Sequence, residues 1–349
     1  MIFRRRGKGD PTAAIQEFWA WWATARPRAE KMIAGTPDDA LVAEIGDRVS
    51  AVHPGLQWEF TAGADSAHLL VVTSAGDAGL RSLAERWRRA APDADRTFGY
   101  ASARQGDPGA LDGAVLDIAG HRLDLGELRF GAVVDAEASV VHVTVWHPVF
   151  PGLPEEARLQ VAFLSLDWVL GEDRVEIWIG AISTASEPGP ELTGPDLTGP
   201  DLTGAGLAEV VDGMVPAEGE ALWSTMAGSR KGKPLVALVQ TPLKAARWPA
   251  YDLHIRIDVP YRSRDENGFP AEDAFPALYA LEDRIDARVD GAVVVAHETS
   301  DGVRTTHLYA ERPAAAAVLE PLLLDWPDGR IRLKVTPDPG WTAVSHLAR

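Results

Sequence analysis

The chain of 349 residues contains no cysteine. That absence excludes disulfides, thiolate metal sites and a cysteine nucleophile. No apolar run approaches the roughly 20 residues of a membrane helix, so no membrane partner is expected. The opening MIFRRRGKGDP is basic but has no apolar stretch behind it. It reads as a solvated tail and not as a secretory signal, and a cytoplasmic location follows. Phosphate loops, dinucleotide-binding glycine patterns and nucleophile elbows are also missing. Positive charge is scarce: 34 Lys and Arg stand against 51 Asp and Glu, a formal net charge of −17. Such a chain repels phosphate backbones, so nucleic acid is not an expected partner, whereas a basic protein is compatible. Arg86, Arg88 and Arg89 cluster within a helical stretch, which reads as a solvated face.

What is present belongs to a soluble globular protein, with 46% hydrophobic and 24% charged residues. The length favours two or three domains. Residues 12–33 carry Phe18, Trp19, Trp21 and Trp22, with Ile15, Trp19 and Trp22 on one helical face; Pro27 marks a kink or an end. Thr36-Pro37-Asp38-Asp39 then starts a helix, with Thr36 as its cap. Strands are expected over 56–61 and 68–73, a helix over 77–90 and a strand over 96–101. A hairpin over 128–134 and 140–146, a helix over 154–170 and a strand over 174–182 follow. Between 185 and 204 the unit Leu-Thr-Gly-Pro-Asp occurs in tandem, and its prolines and glycines make it a linker or surface loop. The domain plan is therefore 1–184, the 185–204 linker, and 205–349. After a short helix at 205–215, the last part should hold strands at 235–241 and 253–259, a helix at 271–287, a hairpin at 292–298 and 303–310, a helix at 313–324 and a strand at 330–336.

The helix-hairpin-helix-strand order of 37–101 returns in 271–336 at an offset near 235, and 128–182 repeats hairpin, helix and strand once more. Strand-helix-strand-strand-helix-strand is the order of a ferredoxin-like sandwich. The expected fold class is α+β, built of repeated ferredoxin-like units with antiparallel sheets and helices on one face.

Asn267-Gly268-Phe269-Pro270, Leu281-Glu282-Asp283 and Ser300-Asp301-Gly302-Val303-Arg304, ending in Tyr309, carry a family resemblance. On these motifs residues 235–336 resemble the bacterial domain-of-unknown-function 695 family. The loop-helix-hairpin pattern also looks like the regulator of ribonuclease E activity B, a small acidic protein inhibitor. Phe18-Trp19, Ala90-Ala91-Pro92, His147-Pro148 and Leu170-Gly171-Glu172 are similar to the region upstream in longer members. The resemblance implies no chemistry, and each motif has a local explanation: Gly302 suits a hairpin turn, and Glu282 or Asp283 can reach Arg304.

Nine histidines offer the remaining chemistry. His142 and His147, five apart at a strand end, face opposite sides and share no metal. His297 and His307 can be diagonal neighbours on the hairpin with His254 on an adjacent strand, a candidate metal set. His297, Glu282 and Arg304 are the candidate catalytic group. No cofactor is expected. The reading is a non-catalytic protein-binding or regulatory module. The alternatives are an enzyme with a histidine/carboxylate site, metal-dependent or not, on the C-terminal sheet, and a protein that assembles with itself.

Overall fold

Clustered tryptophans organise the first elements of the chain, seen in a computed structural model that describes residues 10–186, 202–217 and 220–348. The basic amino-terminal run and the tandem Leu-Thr-Gly-Pro-Asp units lie outside the described residues. Helix α1 (Pro11–Ile33) starts at Asp10, whose side chain accepts from the Thr12 amide. Ile15, Phe18, Trp19 and Trp22 form its buried stripe. The helix runs through Pro27, because Ala25 and Ala29 on either side are buried and hold it in place. Helix α2 (Asp39–Val52) is capped by Asp38, which accepts from the Leu41 amide at 2.9 Å, and not by Thr36. Strands β1 (Gln57–Ala62) and β2 (His68–Thr73) make a hairpin. After α3 (Arg81–Arg89), strand β3 (Phe98–Ala101) pairs in parallel with β2. Two of the indoles buried here are satisfied, Trp19 Nε1 donating to Trp87 O (2.9 Å) and Trp22 Nε1 to Tyr100 Oη (3.0 Å), whereas the buried Trp87 Nε1 has no hydrogen-bond partner. These elements form the first of two compact units, which divide between Arg104 and Gln105.

The second unit opens with a small hairpin, β4 (Val115–Ile118) and β5 (His121–Asp124). Strands β6 (Arg129–Asp135) and β7 (Val140–Trp146) are antiparallel. Helix α4 (Glu155–Leu170) stops at Gly171, where φ is 79°, a conformation that favours glycine. The strand expected over 174–182 is instead helix α5 (Glu172–Trp178) followed by β8 (Ile179–Ala185), parallel to β7. Short apolar runs fit either period, and Glu172 and Asp173 in the first turn favour the helix. Helix α6 (Gly204–Asp212) buries Leu207, Ala208 and Val211 in the core under β6 and β7.

Six strands form the C-terminal sheet: β9 (Leu222–Arg230), β10 (Lys233–Thr241), β11 (Leu253–Pro260), β12 (Ala292–Ser300), β13 (Val303–Ala310) and β14 (Arg332–Pro337). Their order is β14-β11-β13-β12-β10-β9, and every neighbouring pair is antiparallel. Strand β9 escaped the sequence because its pattern is weakly apolar. Helix α7 (Phe275–Asp286) and α8 (Ala314–Ala317) cover one face, packing Leu278, Leu281, Ile285 and Ala316 on Ile255, Ile257 and Leu308. The single helix expected over 313–324 is broken into α8 and a 3₁₀ turn at Glu320–Leu323, because Pro321 removes an amide and collides with the preceding turn. The opposite face is covered at one end by Trp341, Val344 and Leu347 together with Ala245 and Trp248.

The fold is thus α+β, but of the sheets expected to be antiparallel only the six-stranded and two-stranded ones are so; the two three-stranded sheets are mixed. The proposed repeat keeps its element order but not its strand order. In 57–101 and 129–185 the strand after the helix pairs in parallel with the second hairpin strand. In 292–337, β11 lies between them and pairs antiparallel with both β13 and β14.

Candidate functional site

Helix α7 brings Glu282 against β12 and β13 on the helix-covered face. Arg304 donates to it through Nε and through Nη2, the latter at 3.1 Å, and His297 Nδ1 lies 3.1 Å from Glu282 Oε1. Arg304 Nη1 also donates to Thr299 Oγ1 at 3.2 Å. Burial raises the Glu282 pKa, but the hydrogen bonds from His297 and Arg304 outweigh it and hold the carboxyl below its ordinary value. The three candidate catalytic residues are therefore together. Their carboxylate is already engaged by its two neighbours, so they act as a tether between α7 and the hairpin.

The three candidate metal residues are divided between the two faces. His297 pairs with Thr306 on the helix side, past an irregularity in β12 between Val294 and Ala296. His254 and His307 point to the other face, with His254 Nε2 2.9 Å from His307 Nδ1. Among the described residues no group of three or more histidine, aspartate or glutamate side chains could hold a metal ion. His142 accepts from the Ala181 amide in β8 and His147 contacts Asp124 O at the end of β5, so these two serve separate strands.

The uncovered half of the helix-free face is a cleft of about 960 Å³. Arg230, Arg256, Arg330, Arg332 and Lys334 line it, with His254, His307 and His346. Strand alternation puts them there: Lys334 and Arg332 oppose Arg256 and Asp258 across β14 and β11, while Ile331, Leu333 and Val335 turn towards the helices. Arg256 Nε pairs with Asp258 at 2.7 Å, and Arg230 Nη1 with Glu298 Oε2 at 2.6 Å. Arg330, Arg332 and Lys334 form no ion pair among the described residues. Asp258 is the one acidic side chain in the lining, so a chain of net charge −17 presents a cationic cleft.

Beneath this surface lies Glu298, 1% exposed, which meets His346 Nε2 and stands 3.6 Å from His307 Nε2. His307 is 2% exposed and its Nε2 has no hydrogen-bond partner. Burial, reinforced by the neighbouring positive groups, pushes the His307 pKa down to about 2. His254 is lowered too, chiefly by burial. Both rings are neutral at pH 7 and one proton bridges them. The cleft can thus offer fixed cations to an anion above a neutral histidine pair.

At the edge of the sheet two loops meet. The Gly302 amide donates to Gly268 O at 2.9 Å, and Tyr261 Oη reaches the same carbonyl at 2.7 Å. Gly268 takes φ 84°, and a Cβ there would lie 2.9 Å from Asp301 Cα. The Asn267-Gly268-Phe269-Pro270 and Ser300-Asp301-Gly302 motifs are one structural joint.

Residues 221–347 match DUF695, a family of unknown function. No curated protein and no solved structure matches the chain. The DUF695 segment contains the whole six-stranded sheet, the cleft and the tether. Its cationic residues were missed in the sequence, although a signal was there: Arg330, Arg332 and Lys334 alternate with Ile331, Leu333 and Val335, the period of a strand with one charged face. Glu298 and His346 carried no such signal, because 48 residues separate them. Among the described residues no helix of the protein is long and apolar enough to cross a membrane.

Proposed function

We propose that the chain is a non-catalytic binding module whose ligand is anionic and sits on the helix-free face of its C-terminal sheet. The observation that carries this reading is the cationic cleft of Arg230, Arg256, Arg330, Arg332 and Lys334 in an otherwise acidic protein. Walls of one sign focus the field and raise the local concentration of the opposite ion. A ferredoxin-like reading of 251–337 is supported by its strand order, with β9 and β10 added beyond β12. That addition widens the sheet and leaves more of its free face open. Sulfate, citrate and pyrophosphate titrated into the full chain at low ionic strength test the proposal. Heats that saturate and weaken with added salt support it; no heat from any of the three rejects it.

A protein surface is the second reading, favoured by a different observation. On the helix side, Trp223, Val236, Leu238 and Tyr279 are between 37% and 49% exposed beside His297 and Arg304. Light scattering checks self-association: a mass above the monomer that Leu238→Glu reduces supports it, and a monomeric wild type counts against it.

A further inference from the structure

Resting on that anion-binding reading, we infer that the ligand of the cleft is a small, multiply phosphorylated molecule with no aromatic ring to be stacked. Three features of the cleft select it. First, the charges form a grid. Arg332 and Lys334 stand two residues apart on β14, about 7 Å along the strand, and Arg330 comes just before it. Arg256 opposes Lys334 from β11, and Arg230 comes in from β9. Three of these cations have no counter-ion among the described residues, and a phosphate brings between one and two negative charges in a few atoms.

Second, the donors surround the ligand position. Guanidinium groups on β9, β11 and β14 face it from both sides, while His307 forms part of the buried floor. Its Nε2 is buried without a hydrogen bond, 3.6 Å from Glu298 Oε1, so it senses the charge placed above it and does not touch the ligand. A planar carboxylate presents two oxygens in one plane, whereas a tetrahedral phosphate presents three and can meet opposing walls together.

Third, the lining holds no Phe, Tyr or Trp. A nucleobase would find nothing to stack on, and single-stranded nucleic acid sites depend on such platforms. Of the three apolar residues in the lining, Ile331 and Leu333 turn their side chains into the helix-side core, which leaves Ala343, so charge and hydrogen bonding supply the recognition. The volume of about 960 Å³ is at the upper end for one small ligand, which suits a hydrated, multiply charged one.

The test is calorimetric titration of the full chain with tripolyphosphate, citrate and a single-stranded homopolynucleotide at matched ionic strength. Tripolyphosphate should bind more tightly than citrate. The double substitution Arg332→Gln/Lys334→Gln, on exposed positions of an edge strand, should weaken it about tenfold or more while leaving the thermal midpoint in place. Nitrogen NMR of the histidines supplies a second readout, in which His307 Nε2 should shift on saturation. Citrate binding as tightly as tripolyphosphate, and equally weakened by the double substitution, would overturn the phosphate assignment and leave the anion-binding reading standing. Tighter binding of the polynucleotide would overturn the small-molecule assignment. Failure of every anion would remove both.

Discussion

His254 Nε2 and His307 Nδ1 lie 2.9 Å apart, with ring centroids 5.2 Å apart and planes within 14° of parallel. Only one nitrogen of that contact can carry a proton without collision, so the two rings cannot both be charged, and burial disfavours charging either. Arg256 adds to the cost of charging it. The same arrangement keeps His307 Nε2 directed at the cleft floor beside Glu298.

Acid should therefore destabilise the C-terminal unit through this pair. The unfolded chain protonates His307 near its ordinary 6.5, whereas the folded chain resists protonation down to about 2. Between those values the unfolded state holds the extra proton. The stability is intact above pH 6.5 and declines as pH falls, by about 1.4 kcal/mol per pH unit for one such histidine. Urea midpoints between pH 7 and pH 5 should fall more steeply for the wild type than for His307→Gln. Equal slopes would mean that His307 titrates normally.

Glu282→Gln should destabilise the hairpin by about 3 kcal/mol at neutral pH, because it leaves Arg304, whose side chain is 12% exposed, without its counter-charge. The folded pKa of Glu282 is depressed, so its contribution is present above the unfolded value and lost as pH falls through the folded one. The difference between variant and wild type should accordingly shrink in acid. Replacing both partners with Leu should recover much of the loss. A double variant weaker than either single one would argue for a role beyond the tether.

In the first unit, Trp22→Ala should cost about 3–5 kcal/mol. Trp22 is 1% exposed, lies against Phe18, Phe60 and Phe98, and donates to Tyr100. Trp21→Ala should cost less, since Trp21 lies outside the buried stripe and donates to Glu44 near the surface. Hydrogen exchange of the β2 amides reads the difference. Similar loss of protection in both variants would refute the ranking.

Gly268→Ala should loosen the joint between the two DUF695 loops. The left-handed φ of 84° and the 2.9 Å approach of a Cβ to Asp301 Cα act together, for a loss of at least about 1 kcal/mol. Gly232→Ala is the control, with φ 76° and open space around it. Strain alone should make it milder. Thermal midpoints that fall equally would assign the whole effect to φ.

Much of this protein was legible in its residues. The stripes of α1 and α2, the hairpins with turns near Asp135 and Asp301, and the α+β class follow from periodicity and turn chemistry, which act within a few residues. Glu282, His297 and Arg304 were reachable in the same way, since they are neighbours across one helix and one hairpin. Errors came where two local signals competed, as at Pro321 inside an apolar run, or over 174–178, where a short apolar stretch fits both a helix and a strand.

Tertiary structure alone decided which charges share a face. The insertion of β11 between β13 and β14 sets Arg256 opposite Lys334 and joins His254 to His307, pairs separated by 78 and 53 residues. A register shift within β12, which no propensity announces, also placed His297 on the opposite side from them. A strand's sequence determines that its charges alternate. Which neighbour those charges meet depends on sheet order, and that is settled by contacts far apart in the chain.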